Sequence, residues 1–141
     1  MSLAQTAAAP RHIPLKRAAL GLTALFMFGN AAYMLADPFG WYGAVAGVPD
    51  TGPFNPHFVR DIGVAYLTLA ILSGAAALWL RQAFLLMSAV TLYLGLHVGL
   101  HLWDIAAGRL DVDHLIVDAP GVLGPTLVAA ALVYWTRNDR A

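Results

Sequence analysis

The chain of 141 residues is 60% hydrophobic and 11% charged, carries a formal net charge of zero and contains no cysteine. Ordinary soluble domains are about a quarter charged, so this composition belongs in lipid. Zero net charge argues against a nucleic-acid partner, and the lack of cysteine excludes disulfides, thiolate metal ligands and covalent c-type haem.

In chain order, residues 1–17 read as a cytoplasmic N-terminal tail that closes on Arg11, Lys16 and Arg17. Ala18 to Ala36 is long enough, at about 1.5 Å per residue, to cross a hydrocarbon core of roughly 30 Å. This apolar run exceeds the roughly 7 to 15 residues of a signal-peptide core, and no small-x-small motif precedes Asp37, so it reads as an uncleaved first span. Residues 37–60 form a Pro- and Gly-rich connection whose Phe39, Trp41, Tyr42 and Phe54 suit the membrane-water interface. A second span covers about 61–80 and a third about 83–104, joined by a tight turn at Arg81-Gln82. After a polar connection over 105–117, a fourth span covers about 118–135. Pro120 falls in its first turn, where a missing N–H costs nothing, whereas Pro125 sits further in and should kink the helix. Residues 137–141 form a C-terminal tail.

Charge asymmetry gives an orientation. Arg11, Lys16, Arg17, Arg81, Arg137 and Arg140 fall in the two tails and the second turn, which the positive-inside rule places in the cytoplasm. Asp37, Asp50, Asp61, Asp104, Asp111, Asp113 and Asp118 fall on the opposite side. The expected architecture is therefore an all-α integral membrane four-helix bundle with both termini cytoplasmic. It implies a multi-pass protein of a bacterial inner membrane, with the lipid bilayer and a membrane-protein partner or homo-oligomer as its surroundings.

The polar residues that fall in or beside these spans are the candidates for function. Asn55, His57, Arg60 and Asp61 lead into the second span, and His97, His101 and Asp104 close the third. A hairpin at Arg81-Gln82 sets Asp61 level with Leu102, so the two sets are expected at one depth near the periplasmic surface. Tyr93, His97, His101 and Asp104 recur at helical spacing on one face. Asn30 on the first span and Asp118 at the start of the fourth complete a candidate polar site. Two imidazoles one turn apart beside carboxylates suit zinc, copper or non-haem iron, with His57 as a third ligand. The pattern lacks the glutamate of the His-Glu-x-x-His motif, and the chain contains no glutamate at all. A b-type haem or a quinone fits the same residue types, so the cofactor class stays open between the three. Helix capping, snorkelling and inter-helical hydrogen bonding compete as purely structural accounts, and then the chain is a non-catalytic subunit or small-solute binder. His12 and His114, outside the spans, are expected in water. Gly95-x-x-x-Gly99 and the stripe Ala70, Gly74 and Ala77 are expected at close helix contacts.

The run Gly52-Pro-Phe-Asn-Pro-His-Phe-Val-Arg-Asp-Ile-Gly63, followed by His97 to Asp104 and by Val117-Asp-Ala-Pro-Gly-Val122, resembles small bacterial membrane proteins. In layout, with Asn55, Arg60 and Gly63 leading into the second span, the chain is similar to the DoxX-like group of four-helix membrane proteins. The resemblance implies the four-span fold and carries no activity. His57, His97 and His101 lie outside that wider pattern.

Overall fold

The computed structural model describes residues 12–139. The first eleven residues, with Arg11, and the C-terminal Arg140 and Ala141 lie outside them. Every regular element among the described residues is helical. Helix α1 (Ile13–Ala36) starts earlier than the sequence suggests, because Pro14 occupies its first turn and sets the backbone for a helix. Asp37 ends it and caps α2 (Pro38–Ala44), accepting a 2.9 Å hydrogen bond from Gly40 N. A 3₁₀ turn (Val48–Thr51) follows. Asn55 then caps α3 (Pro56–Leu78), so His57, Arg60 and Asp61 lie within the helix rather than before it.

The break between α3 and α4 (Leu80–Ala106) is the single residue Trp79, and Arg81-Gln82 form the first turn of α4 instead of the hairpin. That earlier break shifts the register by about one helical turn. Tyr66 now faces Tyr93, with ring centroids 6.3 Å apart, where a hairpin at Arg81-Gln82 sets Tyr66 level with His97. After α4 come the short helix α5 (His114–Val117), a π-helical turn (Ala119–Leu123) and α6 (Gly124–Thr136). Pro125 lies in the first turn of α6 and not in the interior of one regular α-helix. The change of winding sits in the π turn directly before it, where Gly124 N–H reaches back to Ala119 O.

Helices α1, α3, α4 and the run Ala119–Thr136 are long and apolar enough to cross a membrane, which marks the chain by length and composition as a multi-pass membrane protein. Helix α1 packs along α3, α3 against α4 and α4 along α6, while α6 touches α1 only lightly. The core is a stripe from each: Leu20, Met27 and Met34 of α1, Tyr66 and Leu69 of α3, Met87, Val90 and Leu94 of α4, and Ala129 and Leu132 of α6. Large apolar side chains also cover the outside, among them Leu25, Phe28, Leu92, Leu96 and Leu127. A bundle apolar on both faces suits a solvent of hydrocarbon.

The small-residue expectations divide. A Cβ on Gly63 would lie 3.0 Å from Met34 Cβ, so the α1–α3 approach depends on this glycine, and Gly74 lies near Ala24 on the same seam. Gly95 and Gly99, in contrast, are exposed, with open space around them, because they lie on the outward side of α4.

The light α1–α6 contact is closed at one end by charge. Lys16 Nζ binds Asp139 Oδ1 at 2.8 Å and Oδ2 at 2.6 Å, both side chains are almost fully covered, and the Trp135 ring lies 5.8 Å from the ammonium. Replacing Asp139 with alanine strands a covered ammonium, so thermal unfolding in detergent should show a loss of about 2 to 4 kcal/mol. Lys16→Met combined with Asp139→Leu should recover most of it, and a double variant no more stable than Asp139→Ala would show that the ion pair is not what closes this end.

Candidate functional site

The four-residue spacing of Tyr93, His97 and His101 puts all three on the inward side of α4. Their rings form a column. Tyr66 of α3 meets Tyr93 edge-on, Tyr93 stacks on His97 with centroids 6.3 Å apart and planes at 17°, and His97 meets His101 at 4.8 Å and 78°. At its end, His101 Nδ1 lies 2.7 Å from Asp118 Oδ2, the side chains being 18% and 10% exposed. At that distance the bond is short, and because an ionised carboxylate can only accept, the contact requires a proton on His101 Nδ1.

The chain after α4 is shaped to deliver Asp118. Gly108, at φ 69°, ends the helix, and Asp104 O accepts from the N–H groups of Arg109 and Leu110. Helix α5 then leads directly into Asp118, whose N–H donates to His114 O at 2.8 Å. Asp118 O accepts from both Val122 N and Leu123 N, at 2.8 and 3.2 Å, the mixed bonding of the π turn. Helix α5 is itself held from above. Gly47 has φ 82°, and a Cβ there would lie 2.8 Å from Val117 Cγ1 and 3.4 Å from His114 Cε1. Only glycine fits that position, for reasons of both backbone and space. His114 is therefore buried at 8% exposure instead of being solvated as its loop position suggests, with Nε2 3.5 Å from Asp50 Oδ2.

The other sequence candidates do not join the column. Asn30 accepts a 2.9 Å bond from Trp41 Nε1 and ties α1 to α2. Asn55 accepts from His57 N and Phe58 N as a plain helix cap. Asp104 pairs with Arg109 at 3.0 Å near the α4 terminus. His57 and Asp61 are mostly exposed and 3.4 Å apart on the outer side of α3, and Arg60, also exposed, enters no ion pair among the described residues. His57 is thus not a third ligand beside His97 and His101, and among the described residues no group of three His, Cys, Asp or Glu side chains is placed to hold a metal. The one-turn register shift is not the reason, since it sets Asp61 level with residue 98 and His57 with residue 102, beside the two histidines in depth. The reason is facing: Asp61 and His57 point outward while His97 and His101 point inward.

Tyr66 is the member that the polar inventory passes over. Its signal was legible as the stripe Val59, Gly63, Tyr66, Ala70 and Ser73, the side of α3 opposite His57 and Asp61. Comparison with protein families, with curated proteins and with solved structures finds no match for this chain.

If Asp118 fixes the His101 tautomer, nitrogen-15 spectra of the imidazoles should show one histidine protonated at Nδ1, and Asp118→Ala should abolish that signal. The same variant should cost about 1 to 3 kcal/mol, the penalty for an unpartnered buried donor. An unchanged His101 spectrum would show that the carboxylate does not orient the ring.

Proposed function

We propose that this chain is a four-span membrane protein, both termini cytoplasmic, in which the column from Asp118 through His101, His97 and Tyr93 to Tyr66 relays protons between the outer surface and the membrane interior. The observation that carries this reading is the 2.7 Å His101–Asp118 bond with a second imidazole in contact behind it. Imidazole is the one side chain that gains and loses a proton near neutrality without perturbation, and each ring offers a donor and an acceptor nitrogen. Asp118 orients His101 through Nδ1, and His101 Nε2, turned from that contact, is the atom that exchanges a proton with His97. The tyrosine hydroxyls continue the path inward. Such a relay serves a redox or acid-base reaction of a membrane-borne molecule of the quinone type, which needs a hydrogen-bond donor and an aromatic wall, and His97 and Tyr93 offer both. A metal reading has less support, since His57 stands elsewhere and no group of three His, Cys, Asp or Glu among the described residues is placed to hold an ion.

A non-catalytic reading keeps one observation in its favour. Asn30, Asn55 and Asp104 all have local structural partners, and the His101–Asp118 bond also ties α4 to the π turn. The two readings separate in liposomes that carry the purified protein and an internal pH dye. His101→Ala and Asp118→Asn should slow proton entry about tenfold or more, with His97→Ala close behind and His57→Ala unchanged. Variants that lose thermal stability yet match the parent in proton entry would assign the column to helix pairing alone.

The orientation is tested separately. Reporter fusions after Arg81 and after Trp135 should read cytoplasmic, and a fusion within residues 107–113 should read external, which in a bacterial inner membrane is the periplasm. An external C-terminus would overturn it.

A further inference from the structure

We infer that α5 is the outermost turn of the fourth membrane-spanning helix, and that its exposed Leu115 and Ile116 lie against lipid acyl chains instead of water. This rests on the reading that the four helices cross a membrane.

Span length is the first reason. The run Ala119–Thr136 has 18 residues, whereas α1, α3 and α4 have 24, 23 and 27. At about 1.5 Å per residue the fourth run reaches roughly 27 Å, short of a hydrocarbon core of roughly 30 Å. Helical bonding, however, does not begin at Ala119. Asp118 has φ −76° and ψ −16°, its N–H donates to His114 O at 2.8 Å, and its own O accepts from Val122 N at 2.8 Å. The chain therefore winds from His114 into the π turn without a break. The four residues of α5 together with Asp118 lengthen the run to 23, as many as α3 has, and remove the mismatch.

The pattern of burial is the second reason, because it is inverted for a connection in water. Toward the bundle stand Leu110, His114 and Asp118, each at 9% exposure or less. On the outside, Val112 and Ile116 are 71% and 79% exposed and Leu115 is 37% exposed. Two of the three inward groups are ionisable and all three outward groups are aliphatic, the arrangement that a hydrocarbon surrounding selects. The exposed Asp111 and Asp113 precede α5, where a carboxylate reaches the headgroup layer at little cost. Further along the same run Pro120, Leu127 and Val128 are exposed, so Ile116 continues the apolar outer surface of this span and lipid is what covers it. Asp118 then stands one turn inside the span, and the outer end of the column lies beneath the membrane surface.

The chain has no cysteine, so one introduced thiol carries one label. In phosphatidylcholine vesicles, an environment-sensitive dye on Ile116→Cys should be quenched by an acyl-chain nitroxide at least about fivefold more than by iodide in the buffer, as should the same dye on Leu92→Cys midway along α4. On Asp111→Cys the order of the two quenchers should reverse. Leu115→Cys repeats the reading from the next exposed position, should Ile116→Cys fold poorly. Labels at 115 and 116 as open to iodide as the label at 111 would place α5 in water and overturn the inference. Shielding from both quenchers would assign that face to a second copy of the chain and overturn it equally. If Leu92→Cys reads lipid while both α5 positions read water, this inference alone falls; if Leu92→Cys reads water, the spanning reading beneath it falls.

Discussion

The arrangement around the polar column depends on one bond, between His101 Nδ1 and Asp118 Oδ2. Imidazole and carboxylate both lose hydration when they enter an apolar bundle, and each is tolerable there because the other replaces the water. Much of the local architecture serves to keep them together. The π turn re-aims the backbone at Asp118, α5 carries the chain into it, and Gly47 lets the outer connection press down on His114 and Val117. A loop more than fifty residues away in sequence is in this way part of the support of Asp118.

The same rule of compensation accounts for several polar groups outside the column, with different solutions at different depths, while Ser73 Oγ, Thr91 Oγ1 and His114 Nδ1 are buried without a hydrogen-bond partner among the described residues. Lys16 and Asp139 pair under the Trp135 ring where α1 and α6 barely meet. Asn30 takes the indole N–H of Trp41, which settles two groups and pins α2 against α1. Thr23, Thr68, Ser88 and Thr136 bond to carbonyls one turn earlier in their own helices, the local outlet for a hydroxyl in an apolar helix. His57, Asp61 and Arg60 stand apart, since their polar heads face outward and all three are exposed.

The α3–α4 junction shows how a small local difference changes a site. The basic Arg81 with Gln82 marks a turn by composition, yet both residues continue helically and the chain reverses at Trp79. Moving the reversal back shifts every cross-helix level by about a turn. Depth then ceases to be the deciding quantity, because residues at one level on opposite sides of a helix never meet.

Much was determined by the sequence alone. Four long apolar segments without strand periodicity imply an all-helical bundle, and the four-residue spacing of Tyr93, His97 and His101 puts them on one face, because helix geometry is local. Proline and glycine positions likewise bracket the elements, to within a few residues. Which polar groups become partners was decided by the tertiary structure, because contacts between helices depend on register, rotation and the path of connections, all of them set by summed side-chain packing. His101 with Asp118, Lys16 with Asp139 and the burial of His114 under Gly47 each join segments distant in the chain, and no spacing rule encodes them. Facing, too, emerged only in the fold: an α3 packed along α1 through Gly63 and Tyr66 turns His57 and Asp61 outward, since a helix that buries one side must expose the other.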